Sequence, residues 1–284
     1  YQLVEDCLQA ALLARGLELP RLEVDGRFKR AERFAEKAGY QEQKLRVFYN
    51  MAWTAYWWYE DYKEFNTLYT RVQELARDSI QASDLELLSN LWQLMHTAIN
   101  AGALQPEESS FKERTETLKS QLQNVAKNTQ RPNNALHAKS LSLLIDLSQT
   151  LLKRKNIDRI LLDIKTLLEK SVGFSEFPVT PITQIIQELG EFITDNPKYD
   201  ELLEVVIRIT EKRASESEAG NVLLTRGQQK LSAGKKYDAI KLLGRAQQKL
   251  AMEESKKEWI MAAAACGVAY EGIGLLWAAR SNLL

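Results

Sequence analysis

The sequence predicts an all-α fold, a stack of about seven antiparallel helical hairpins, on three observations. Apolar residues recur at three- and four-residue spacing through most of the chain, the signature of one-sided helices. The 13 Gly and 6 Pro are few for 284 residues and fall mainly between the periodic segments. One apolar set repeats at a fixed offset: adding 34 to Phe28, Ala31, Ala35 and Ala38 gives Tyr62, Phe65, Tyr69 and Val72. No segment reads convincingly as a strand.

In chain order, the first expected helix is Tyr1–Gly16, with Leu3, Cys7, Ala10, Ala11 and Ala14 inward. Pro20 and Gly26 mark a loop before a helix over Phe28–Ala38. The second hairpin, Tyr49–Val72, carries Tyr49, Ala52, Trp53 and Tyr56 on one face, turns at Glu60-Asp61, and continues with Tyr62, Phe65, Tyr69 and Val72. A third starts at Ser83, with Leu88, Leu91, Trp92 and Met95 inward, then a turn through Gly102 to Pro106 and a polar helix over Glu107–Lys127. Pro132 and its Asn neighbours break the chain. The fourth has Leu144, Leu147, Ser148 and Leu151, then Ile157, Ile160, Ile164 and Leu167. The loop-like stretch 173–181 is a candidate hinge within a single 1–284 domain. The fifth places Ile186, Leu189, Gly190 and Ile193 before an Asp195-Asn196-Pro197 turn, then Tyr199, Leu202, Val206 and Ile209. In the sixth, Leu223, Gly227, Ala239, Leu243 and Ala246 keep the pattern, while Lys230 stands where an apolar residue is expected and Leu231 is read as its substitute. The seventh has Trp259, Ala262, Ala263 and Cys266, then Leu275, Leu276 and Ala279.

A single hairpin of this kind does not stand alone. Each large apolar side chain removed from water contributes about 1.5–3 kcal/mol, and ordering each residue costs about 1–2 kcal/mol of backbone entropy. About eight buried residues per hairpin fall short, so each needs neighbours on both faces.

The run Ile186, Leu189-Gly190, Ile193, Tyr199, Leu202, Val206 and Ile209, and the small pair Gly227 and Ala239 twelve residues apart, resemble the tetratricopeptide repeat family. The resemblance implies a right-handed α-solenoid, with degenerate repeats over most of the chain. Trp53 and Trp92 stand where that family prefers a small residue, and Phe65, Ile160 and Leu202 where it prefers Ala, which implies wider helix spacing in places.

Totals exclude several functions. Lys plus Arg and Asp plus Glu each number 38, so the net charge is zero and general nucleic-acid binding is not expected. Two cysteines, Cys7 and Cys266, suggest no disulfide framework and a reducing, cytoplasmic setting. No apolar run reaches bilayer length; Trp259–Trp277 comes nearest but contains Glu271. No signal peptide is visible, and Tyr1 in place of Met suggests a piece of a longer chain.

Catalytic signals are weak. Gly227 to Gly234-Lys235-Lys236 has the wrong spacing for a phosphate loop. Gly272-Ile273-Gly274 lacks the preceding strand of a dinucleotide site and reads as a helix–helix turn. His96 and His137 have no second ligand at metal spacing. Lys153-Arg154-Lys155 reads as a solvated helix end. No enzyme activity, cofactor or metal is expected.

In the resembled family, the first helices of successive hairpins line a concave groove for an extended peptide or partner helix. That implies Asn50, Thr54 and Trp57 in the second hairpin, Ser89, Gln93 and His96 in the third, Gln149 and Lys153 in the fourth, and Gln187 and Glu191 in the fifth. Trp57 and Trp58 fall off the buried stripe, and exposed Trp is enriched where partners bind. The expected function is a protein- or peptide-binding scaffold, with other domains of the same chain among the candidate partners. The alternative is a sensor or oligomerisation arm of a multidomain bacterial signalling ATPase or antiviral effector.

Overall fold

A computed structural model of the chain describes residues 1–152, 156–175 and 177–284. Among the described residues there are fourteen α-helices and no strand. They form two compact units, Tyr1–Gln149 and Thr150–Leu284.

The first unit holds α1 (Gln2–Gly16), α2 (Arg21–Ala38), α3 (Gln41–Trp57), α4 (Tyr62–Ala76), α5 (Ala82–Asn100), α6 (Phe111–Ala126) and most of α7 (Pro132–Leu152). Helices pack as consecutive pairs, α1 on α2, α3 on α4 and α5 on α6. The odd helices α1, α3 and α5 also touch in succession and form one layer. The even helices are joined by polar side chains instead. Arg21 pairs with Asp61 and with Glu64, and Arg114 donates to Asn66. One core centres on α3–α6, with Phe65, Tyr69, Leu88, Leu91, Trp92 and Met95 fully buried; a smaller one lies between α1 and α2 around Leu8, Val24 and Phe28.

The second unit holds α8 (Asp158–Ser171), α9 (Val179–Leu189), α10 (Pro197–Arg213), α11 (Glu216–Ser232), α12 (Lys236–Lys249), α13 (Lys256–Glu271) and α14 (Leu276–Leu283), with a 3-10 turn at Glu253–Ser255. The stretch 173–181 lies inside this unit. Helix α11 packs closely on α12, and the sequence states why. A Cβ built on Gly227 would lie 2.7 Å from the Leu243 side chain, so only glycine admits this approach.

Local signals set many boundaries. Asp61 accepts from the Glu64 amide and caps α4, after Glu60 takes the left-handed conformation. Asn196 accepts from the Lys198 and Tyr199 amides, with Pro197 at the first helical position of α10. Ser215 accepts from the Glu218 amide, a Ser-x-x-Glu start for α11.

Several expectations need correction. In α1 the inward residues are Val4, Cys7, Leu8, Ala11 and Ala14; Leu3 is exposed. Helix α2 begins at Arg21, so Gly26 lies inside a helix, where nothing in its surroundings requires glycine. Ala38 is exposed beside the Gly39 cap. Helix α3 starts at Gln41, well before Tyr49, because Leu45, Val47 and Phe48 are buried between polar neighbours that mask the stripe. Ser83 lies within α5 rather than capping it. The expected break falls at 127–131, between α6 and α7, and Pro132 opens α7 rather than lying in the break, a position where its missing N–H costs nothing. In α13 and α14, Ala262, Ala263, Cys266 and Ala279 are buried, but Trp259, Leu275 and Leu276 are exposed.

Lys230 is the largest departure from the pattern. It is itself buried, at 3 % exposure, and Leu231 does not replace it. Its ammonium donates to Asp200 Oδ2 at 2.8 Å and to the Thr194 carbonyl at 3.0 Å. Periodicity marks where a side chain goes, while a carboxylate 30 positions away decides whether a cation can stay there.

Candidate functional site: an aromatic surface on α3 and a cleft along α9 and α11

Helix α3 carries a row of aromatic rings at four-residue spacing. Tyr49 and Trp53 have centroids 5.7 Å apart, and Trp53 and Trp57 6.3 Å. Trp57 also meets Tyr56 edge-on at 5.1 Å. Tyr56 packs inward on Tyr62 and Phe65, which fixes the helix on α4. Trp57 is 56 % exposed and Trp58, just past the helix end, 43 %. Rings held by neighbours but open to solvent are pre-ordered contact surface with little entropy left to lose on binding.

Trp58 is covered on one face by Arg15 of α1, whose guanidinium carbon lies 4.2 Å from the ring centroid. Arg15 Nη1 donates to Thr54 Oγ1 at 3.1 Å. Its Nε is buried with no hydrogen-bond partner, and no described carboxylate forms an ion pair with it. Burial pushes the Arg15 pKa down, opposed by Tyr49 and Tyr59. Sequence reasoning missed Arg15: it belongs to the preceding hairpin, 39 residues from Thr54.

The other expected groove residues divide. Asn50 is half-buried and donates to the Arg46 carbonyl. Gln93, also half-buried, is bonded to Ser148 of α7 at 3.1 Å. Gln149 is half-buried on α7. Thr54, Ser89 and His96 are buried, which corrects their placement on an open groove. Thr54 and Ser89 donate to the carbonyls of Asn50 and Leu85 at 2.7 Å, so a hydroxyl can sit on an apolar face without an outside partner. His96, Trp92 and Phe111 form a three-ring cluster, with His96 5.0 Å from Trp92 and 5.4 Å from Phe111, and burial pushes the His96 pKa down from its ordinary value. Trp92 fits inside because its indole N–H reaches Thr115 Oγ1 at 2.8 Å. Lys153 lies outside the described residues.

In the second unit, Gln187 and Glu191 lie along a seam between α9 and α11. The Gln229 amide donates to the Gln187 carbonyl at 3.0 Å. Gln187, with Thr183, Gln184 and Asn221, lines a cavity of about 610 Å³, and the Asn221 Oδ1 is buried without a partner. Glu191 opens on a second cavity of about 450 Å³ with Thr194, Thr225, Gln228 and Ser232. The first lining mixes these amides and hydroxyls with apolar residues such as Phe177, Val179 and Ile209, while the second is mostly polar; the amides and hydroxyls can pair with a peptide backbone. Asn221 was not foreseen; a lone polar residue two positions from each of the buried Ala219 and Leu223 on α11 carries no helical-face signal.

Among the described residues no cluster of three or more His, Cys, Asp or Glu could hold a metal ion. Likewise no described helix is long and apolar enough to cross a membrane. No family model matches the chain, and a comparison with curated proteins finds no relative.

Proposed function

We propose that the chain is a non-catalytic protein-binding scaffold built of tetratricopeptide-like hairpins, whose partner is a protein segment that lies on α3. The carrying observation is the pair Trp57 and Trp58, open to solvent on a helix whose other rings are anchored in the core. Such Trp residues supply much of the binding energy where partners meet.

The hairpin reading draws support from the spacing of cross-helix bonds. Tyr59, at the α3–α4 turn, bonds Asp25 of α2 across 34 positions; Arg226 of α11 bonds the Gly190 carbonyl at the end of α9, and Lys236 of α12 the Gly272 carbonyl at the end of α13, each across 36. Equivalent points on adjacent repeats meet at about one repeat length when hairpins stack. The unpaired, buried Cys7 and Cys266 suit a reducing compartment.

The test is selection of peptides from a displayed random library on the 1–284 chain, followed by affinity measurement against Trp57→Ala/Trp58→Ala. A loss of about tenfold or more, with circular dichroism unchanged, is expected. Recovery of no peptide, or equal binding by the double variant, overturns the reading.

A further inference from the structure

We propose that the segment bound on α3 carries an Asp or Glu side chain that pairs with Arg15, beside an apolar residue seated on Trp57. The inference rests on the scaffold reading above and adds the chemistry of the partner.

Charge is the argument. Two neighbouring arginines have acids: Arg21 has Asp25, Asp61 and Glu64, and Arg46 has Glu5. Arg15 has none among the described residues, although it is half-buried and therefore poorly hydrated. Its one hydrogen bond goes to a neutral hydroxyl, and its Nε has no partner. Two local features lessen the cost. Arg15 sits in the last turn of α1, where the helix end carries roughly half a negative charge, and it stacks on Trp58. Neither replaces a carboxylate, which accepts two N–H groups of a guanidinium at once.

The surroundings favour that anion. No carboxylate among the described residues forms an ion pair with Arg15, so none has to be displaced from it. Trp58 holds the guanidinium plane from one face, which pre-orders it. An incoming carboxylate is desolvated beside Trp57 and Trp58, and a charge pair out of water contributes more than one at an exposed rim. A neutral amide of the same shape accepts at one oxygen only and brings no charge.

The experiment uses the same displayed library on the full chain. Recovered peptides are expected to be enriched in Asp or Glu at one position. Replacing that Glu by Gln in the peptide should weaken binding to the wild-type chain by about tenfold or more, and by less than about twofold to Arg15→Gln. Arg15→Lys, which keeps the charge, should retain the acidic preference in part. Peptides that need Trp57 and Trp58 yet show no acidic preference overturn this inference and leave the scaffold reading standing. Peptides insensitive to Trp57→Ala/Trp58→Ala, or none at all, overturn both. The peptide-side Glu to Gln change decides the matter even if Arg15→Gln fails to fold.

Discussion

Each unit buries an arginine against a tyrosine ring, and the two solve the same problem differently. In the first unit, Arg114 lies over Tyr69 with its guanidinium 4.5 Å from the ring centroid. In the second, Arg226 lies over Tyr199, also at 4.5 Å. Arg114 is held by neutral acceptors, Asn66 Oδ1 at 2.6 Å and Thr70 Oγ1 at 2.7 Å. Desolvation pushes its pKa down, and the Tyr69 hydroxyl beneath has no hydrogen-bond partner. Arg226, 1 % exposed, meets the Asp200 carboxylate at 2.7 Å and also bonds the carbonyls of Gly190 and Ile193. The same Asp200 holds Lys230. One acid therefore supports two buried cations and ties α10 to α11, while the cations themselves bond the chain after α9 at Gly190, Ile193 and Thr194. A cation with neutral neighbours is replaceable, whereas cations built around one acid depend on it.

That contrast can be broken by substitution. Asp200→Ala leaves two buried positive charges with no anion and should cost about 3 kcal/mol, the low end of the range for broken buried pairs because Asp200 itself is 42 % exposed. Hydrogen exchange across α10 and α11 reads the loss. Adding Lys230→Met to that variant should recover part of it, since the position sits on the apolar face; no recovery would mean Lys230 is not the strained group. Arg114→Met should cost less, below about 1.5 kcal/mol, because it removes a desolvated cation along with its bonds to neutral groups. A cost equal to that of Asp200→Ala in urea denaturation would erase the distinction between the units.

The smallest effect concerns pH. His96 has a folded-state pKa below the ordinary 6.5, so the fold favours the neutral ring. Below pH 6.5 the unfolded chain binds a proton that the folded chain does not. Stability from this group is thus complete above pH 6.5 and declines as pH falls toward the folded value. Denaturation midpoints at a series of pH values should show this slope in the wild type and not in His96→Phe. An unchanged slope would assign it to other groups.

Much of the helical plan was legible because its causes are local. The inward stripe of α10, Tyr199, Leu202, Val206 and Ile209, is fully buried as the spacing predicts, and Asn196-Pro197 starts it with its own cap. The stripe Leu88, Leu91, Trp92 and Met95 on α5 is likewise buried. Legibility failed where a polar residue hid an apolar face, as at the start of α3, and where an apolar residue faced outward, as at Trp259 and Leu276. The candidate site was half legible. Trp57 and Trp58 stood out as residues off the stripe, but nothing near them in sequence pointed to Arg15.

By itself, then, the sequence determined most of the helices, a few of their caps and many of the faces they bury, because three- and four-residue spacing, capping side chains and proline act within a turn or two. Tertiary structure alone decided which polar groups remain available. Thr54, Ser89 and His96 are enclosed, while Trp57 and Trp58 are open. It also placed Arg15 on Trp58 and Arg226 with Lys230 on Asp200. Charges and hydrogen bonds are satisfied through space, between residues tens of positions apart, and no local pattern records those meetings.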